Sequence, residues 1–191
     1  EKHPYVYDDF ENYHETRIAS TACHFLRDLR DIRQPWGMYV GFMVPHNPYI
    51  IPAKYHEYYQ LDDFALPDVF DQDKDCPTYN TLPGLRTTDF TEKQLRHMRC
   101  MYFEMVTMLD ELVGRVLQTL DDLGMADNTI VVFTSDHGEM LGDHGRVAKI
   151  CFYDQALCVP LIIRHPAGMK KGQVRDALSE QTDLMPIILD L

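Results

Sequence analysis

The chain has 191 residues, 45% of them hydrophobic and 25% charged, and its 30 acidic against 18 basic side chains give a formal charge of −12. That length can bury one substantial core, and the composition is that of an ordinary globular protein. The acidic balance excludes a general nucleic-acid or anionic-membrane binder, whose surface would be basic, so an anionic substrate would have to be held by a few local cations or a metal.

No stretch approaches the roughly 18–20 uninterrupted apolar residues that a membrane helix needs. The chain begins at Glu1 without an initiator Met, and Glu1-Lys2-His3-Pro4-Tyr5 has no signal-peptide character, so a processed or truncated chain is expected. The five cysteines (Cys23, Cys76, Cys100, Cys151, Cys158) include no CxxC pair and support neither a disulfide framework nor a zinc knuckle. Cys100, on a helical apolar pattern, and Cys158, in a strand-like run, are expected as small buried hydrophobes.

The first element is a helix from Tyr13 to about Arg33, with Ile18, Ala22, Phe25, Leu26 and Leu29 on one face and Pro35 as its stop. Trp36–Val44 (WGMYVGFMV) follows as a short apolar run that ends abruptly at Pro45-His46-Asn47-Pro48, the pattern of a buried strand delivering a loop. Residues 51–88 carry many Pro, Asp and Tyr without a sustained period. They are expected as an irregular excursion with a short helix near Lys54–Tyr59, of the kind that often lies over a functional site. Their tyrosines, Tyr55, Tyr58, Tyr59 and Tyr79, read either as packing or as the wall of a pocket for a sugar or aryl group, with packing favoured.

A long helix then starts at Thr91, which has capping-box spacing with Gln94. It carries Met98, Tyr102, Met105, Leu109, Leu112, Val116 and Leu120 as a core stripe and is closed by Gly124. Thr129–Ser135 (TIVVFTS) and Val159–Arg164 (VPLIIR) read as buried strands, and Thr182–Leu191 as the start of a further helix. Helices alternating with buried strands predict an α/β fold with a largely parallel sheet.

In such sheets ligands bind beyond the carboxyl ends of strands. Asp136 and His137 emerge where TIVVFTS ends, so a carboxylate and an imidazole can point at one ion from a turn, with Gly138 permitting close backbone approach. The alternative is a polar turn with a capping Asp; the density of Asp, His, Glu and Gly through Gly145 favours the metal. Lys149, just past this block, can grip a tetrahedral oxyanion as a compact charge. His46 sits between two prolines that fix its backbone, where an imidazole can hold an oxyanion or protonate a leaving oxygen.

Together these residues resemble the sulfatase family of the alkaline-phosphatase-like superfamily over nearly the whole chain. The carriers are PHNPY (Pro45–Tyr49), YFEMVTMLDELVGRVL (Tyr102–Leu117), DNTIVVFTSDHGEMLGDHG (Asp127–Gly145), Lys149, VPLIIRHP (Val159–Pro166) and TDLMPIILDL (Thr182–Leu191). The resemblance implies an alkaline-phosphatase-like fold, with residues 1–191 as the carboxyl-side portion of a sulfatase catalytic domain and an irregular insertion at about 51–88. It implies Asp136 and His137 as ligands of a divalent metal, calcium in most sulfatases, and Lys149 and His46 as binders of the transferred sulfuryl group, one of them assisting the leaving oxygen. Glu139 and His144 belong to the same block without an assigned role, and Asp110 is expected to be structural. The implied substrate is a small-molecule or glycan sulfate ester, and periplasmic, secreted or lysosomal placement is common in the family.

The family's nucleophile motif, C/S-x-P-S-R, whose first residue becomes formylglycine, is absent. Cys158-Val159-Pro160 continues with Leu161 and Ile162, and Cys76-Pro77-Thr78 lacks the spacing. The early Asp-Asp metal pair is missing too, since no buried strand precedes Asp8-Asp9 or Asp62-Asp63. The expectation is therefore a hydrolase as the parent protein, with this chain inactive and weakly metal-binding by itself, because a hard cation wants roughly six to eight oxygen ligands. The rival enzyme reading is a phosphonate monoester or phosphodiester hydrolase of the same superfamily, with manganese or zinc; a non-catalytic interaction module is the rival of another class.

Overall fold

The computed structural model describes residues 6–66, 89–168 and 172–190. Its core is built on two helices, α1 (His14–Leu29) and α2 (Glu92–Asp122), packed against each other. α1 presents Ala19, Ala22, Cys23 and Leu26 inward at helical spacing and ends well short of Pro35. α2 starts in the expected capping box: the Thr91 hydroxyl accepts from the Gln94 amide at 3.3 Å, and the Gln94 side chain accepts from the Thr91 amide at 2.8 Å. It ends in a Schellman closure, with Met125 N–H donating to Leu120 O and Gly124 N–H to Asp121 O. Gly124 has φ +68°, which a residue with a Cβ adopts only at a cost.

The core-facing line of α2 is rotated from the sequence stripe. Leu95, Met101, Met105, Met108, Leu112 and Leu120 are buried, while Met98, Tyr102, Leu109 and Val116 are half-buried. A seven-residue spacing drifts by about 20° per heptad on a straight helix, so over 31 residues it leaves the buried face. The methionines are core packing as expected: Met101, Met105 and Met108 join Ala19, Val44, Ile51, Tyr55 and Leu112 in one cluster. Met108→Ala removes a fully buried side chain and is expected to cost about 2–5 kcal/mol, read as a lower urea midpoint at unchanged m-value.

The α/β class is present, with short strands. β1 (Val6–Tyr7) pairs in parallel with β2 (Ile51–Pro52), and β3 (Val131–Thr134) pairs antiparallel with β4 (Leu161–Arg164), in the register Val131↔Arg164 to Thr134↔Leu161. Both β3 and β4 are half-buried rather than buried, and Ile162 is exposed. Trp36–Val44, expected as a buried strand, forms no ladder among the described residues. Its exposure alternates, with Tyr39 and Met43 outward and Val44 inward. The expected buried strand at Trp36–Val44 is thus corrected to an extended run with one face outward.

Within the excursion, residues 51–66 hold two 3₁₀ turns, Ala53–Tyr55 and Leu61–Asp63, in place of a helix over Lys54–Tyr59. Tyr55 is buried in the core, and Tyr59 packs edge-on to Phe64 and Phe103, so these two rings are packing. Glu104 pins the segment from α2 by accepting the Tyr58 amide at 3.1 Å; burial pushes its carboxyl above the ordinary range, partly offset by such amide contacts. Residues 67–88, with Tyr79 and Cys76, lie outside the described residues. Cys100 is buried, whereas Cys158 is exposed, because the one-turn helix α3 (Asp154–Leu157) ends there before β4 begins. Helix α4 (Leu184–Asp190) follows a 3₁₀ turn at Gln181–Asp183. No helix among the described residues is long and apolar enough to cross a membrane.

Candidate metal and oxyanion site

β3 ends at Thr134, and the chain turns immediately through Ser135, Asp136, His137 and Gly138. Backbone groups that leave a ladder need new partners, and this turn supplies them. Ser135 Oγ donates to His137 O at 3.0 Å, and His137 N–H donates to Asp136 Oδ1 at 3.0 Å. Gly138 N–H donates to Ala156 O at 2.8 Å. From across the fold, the Gln181 side-chain amide donates to Ser135 O at 2.8 Å and to Asp136 O.

Gly138 lies against the α3 backbone so closely that a Cβ there would stand 2.0 Å from Gln155 O. The conflict is with main chain, which cannot rotate away. Gly138→Ala is expected to displace the turn from α3, lowering the melting temperature and weakening metal binding together, measured by calorimetry.

His137 Nδ1 faces Gly138 O at 2.9 Å, and a carbonyl oxygen only accepts, so Nδ1 carries the proton. Nε2 is then left with its lone pair, 3.7 Å from Asp136 Oδ2. Two donors at that separation can both reach one divalent cation, whose O and N ligands lie roughly 2.0–2.6 Å away. The Asp136 side chain is 83% exposed, so it carries its charge into an open space. The pair fits a metal in part: no group of three or more His, Cys, Asp or Glu side chains placed to hold a metal is present among the described residues.

The same tautomer logic applies to His46. Its Nδ1 donates to Asn47 O at 2.6 Å, which leaves Nε2 to accept from Lys149 Nζ. Both X–Pro bonds flanking this residue, Val44–Pro45 and Asn47–Pro48, are cis. The His46 and His137 rings meet edge to face, centroids 5.9 Å apart. The fold therefore gathers all four sequence-selected residues, Asp136, His137, His46 and Lys149, although they come from segments about a hundred residues apart.

What the sequence left without a role is the support. Glu139 turns its carboxylate inward, where Oε1 accepts the amides of Leu141 and Ala148, tying both ends of the loop that leads to Lys149. Arg99 on α2 donates to Leu141 O at 2.7 Å and stands 3.7 Å from Asp143. His144 stacks on Tyr153 with ring centroids 4.0 Å apart. Burial, and after it the Glu139 charge, pushes the phenols of Tyr49 and Tyr102 up, keeping them neutral near the loop. Asp110 is exposed on α2. Asp9 caps the turn to Asn12 and Asp63 the turn at Gln60, local duties that suit neither Asp-Asp pair to a metal.

An α/β scaffold thus places an Asp-His turn at a strand's carboxyl end, beside a Lys-His pair. The sulfatase family model matches residues 1–191, and the chain belongs to the sulfatase family, within the alkaline-phosphatase-like superfamily. Membership implies a divalent metal. The chain is 32% identical to an arylsulfatase of Clostridium perfringens, over 98% of this chain and 40% of that protein. It is 36% identical to human iduronate 2-sulfatase, over 90% of this chain and 35% of that protein. Among solved structures it matches the phosphonate monoester hydrolase of Silicibacter pomeroyi at a TM-score of 0.79 and 30% identity, over 94% of this chain and 38% of that one. The chain thus spans little more than a third of the length of these proteins.

Proposed function

We propose that the full-length protein hydrolyses sulfate monoesters at a site to which this chain, as the carboxyl-side portion of the catalytic domain, contributes Asp136, His137, Lys149 and His46. The observation that carries this reading is the convergence of the Lys149–His46 pair on the Asp136–His137 turn. Asp136 and His137 would hold a divalent ion, calcium in this reading, and that ion would supply positive charge to the ester's oxygens. Lys149 grips the sulfuryl oxygens as a compact cation in a chain that is otherwise strongly acidic. His46, held by Asn47 O, directs Nε2 at the same space. With Lys149 beside it, one proton can be passed from that pair to the departing alkoxide or phenoxide oxygen. The nucleophile, a formylglycine, and the remaining metal ligands would come from a segment outside this chain, so the 191 residues alone should show no arylsulfate turnover.

The likeness to a phosphonate monoester hydrolase supports a second reading, in which a phosphonate or phosphate diester is cut at the same residues. The full-length protein assayed on paired aryl esters separates them. A higher kcat/KM on the sulfate ester upholds the first reading; a higher value on the phenylphosphonate or phosphodiester replaces it with the second.

A further inference from the structure

Gln181 reaches the backbone of the Asp136–His137 turn from 45 residues away, donating to Ser135 O and Asp136 O. Its base is itself fixed. It opens a 3₁₀ turn that is capped reciprocally, with Glu180 N–H donating to Asp183 Oδ2 at 2.8 Å and Asp183 N–H to Glu180 O at 3.0 Å. The two hydrogens of one side-chain amide reach two successive carbonyls, Ser135 O and Asp136 O, just past the last residue of β3.

The second of these carbonyls belongs to the peptide plane that joins Asp136 to His137. A peptide unit is rigid, so fixing its C=O fixes its N–H. That N–H is the one that donates to Asp136 Oδ1. A continuous path therefore runs from the Gln181 amide, through one peptide plane, to the carboxylate: amide to carbonyl, then N–H to Oδ1. Donation at one end of such a chain polarises the bond at the other. Without it, the plane could swing, and Asp136, whose side chain is mostly exposed, would keep few restraints on where its charge points.

We propose that Gln181 is a positioning residue for the metal site: by clamping the 136–137 peptide plane it sets the direction in which the Asp136 carboxylate is presented, and so tunes metal affinity from the entry of α4. This rests on the reading of Asp136 and His137 as metal ligands. Partners that orient metal ligands cost roughly 10–100-fold in metal affinity when lost.

The test uses the metal-stripped full-length protein, titrated calorimetrically with Ca²⁺ and with Mn²⁺, alongside its melting temperature without metal. Gln181→Glu keeps the shape and sets carboxylate oxygens against two carbonyl oxygens; Gln181→Ala removes the donors without adding charge. The expected result is an affinity at least tenfold weaker for Gln181→Glu, a smaller loss for Gln181→Ala, and a metal-free melting temperature for Gln181→Ala close to that of the parent. Should Gln181→Glu fail to melt cooperatively, the Gln181→Ala titration decides alone. Unchanged affinity in Gln181→Ala, or a loss matched by collapse of its metal-free melting transition, overturns the positioning role. Asp136→Ala runs as the reference: if it leaves affinity intact, the metal reading itself fails and takes the proposal with it. If only Asp136→Ala weakens binding, the metal site stands and the role of Gln181 does not.

Discussion

Lys149→Ala in the full-length protein should lower kcat by roughly 10²–10⁴-fold on an aryl sulfate, the span set by losing one preorganised charge at a developing oxyanion together with a share in proton transfer. Lys149 is half-buried and donates to His46 Nε2, so its removal takes away a cation and also uncouples the imidazole from its proton source. Metal affinity should hardly move, because the hydrogen bond of Lys149 goes to His46 Nε2 and leaves the Asp136–His137 turn to its own backbone contacts. Steady-state kinetics with a parallel Ca²⁺ titration checks both halves. A variant that keeps kcat within threefold of the parent would remove Lys149 from the chemistry. His46→Ala should produce a smaller loss with Lys149 in place, since the cation then remains to hold the anion.

Asp136→Ala should weaken Ca²⁺ binding by at least about 100-fold, the upper end of what losing a mere outer-sphere partner costs, because a carboxylate that touches the ion is removed outright. Activity should fall with it and recover in part when Ca²⁺ is raised, which distinguishes loss of metal from loss of folding. Calorimetric titration of the metal-stripped protein measures the first, and rate against Ca²⁺ concentration the second. If affinity falls less than threefold, Asp136 is a capping residue of its turn, as its bond from the His137 amide would then suggest.

The two predictions probe different halves of a site whose members were legible to different degrees. Asp136 and His137 could be read directly: they are adjacent, they follow a β-branched apolar run, and β3 does end where that run ends. Lys149 and His46 could be selected as chemically apt, but their mutual hydrogen bond joins residues 103 apart and has no trace in local sequence. The same holds for Glu139, which its place in the Asp-His-Gly block left without a role. Its carboxylate instead organises the backbone of the loop, a duty set by where Ala148 and Leu141 return to it. Gln181 carried no local signal at all.

The sequence by itself determined the family, the α/β class and both ends of α2 through Thr91, Gln94 and Gly124, and it singled out four candidate site residues, because caps, hydrophobic periods and short motifs are encoded within a few residues. The tertiary structure decided which face of α2 is buried, that Cys158 is exposed, that β3 and β4 run antiparallel, and that the Trp36–Val44 run has one face outward. It also decided how the site is held. Pairing, burial and long-range hydrogen bonds depend on which distant segments pack together, and a period of 2 or 3.6 records only that a face is apolar, without saying what covers it.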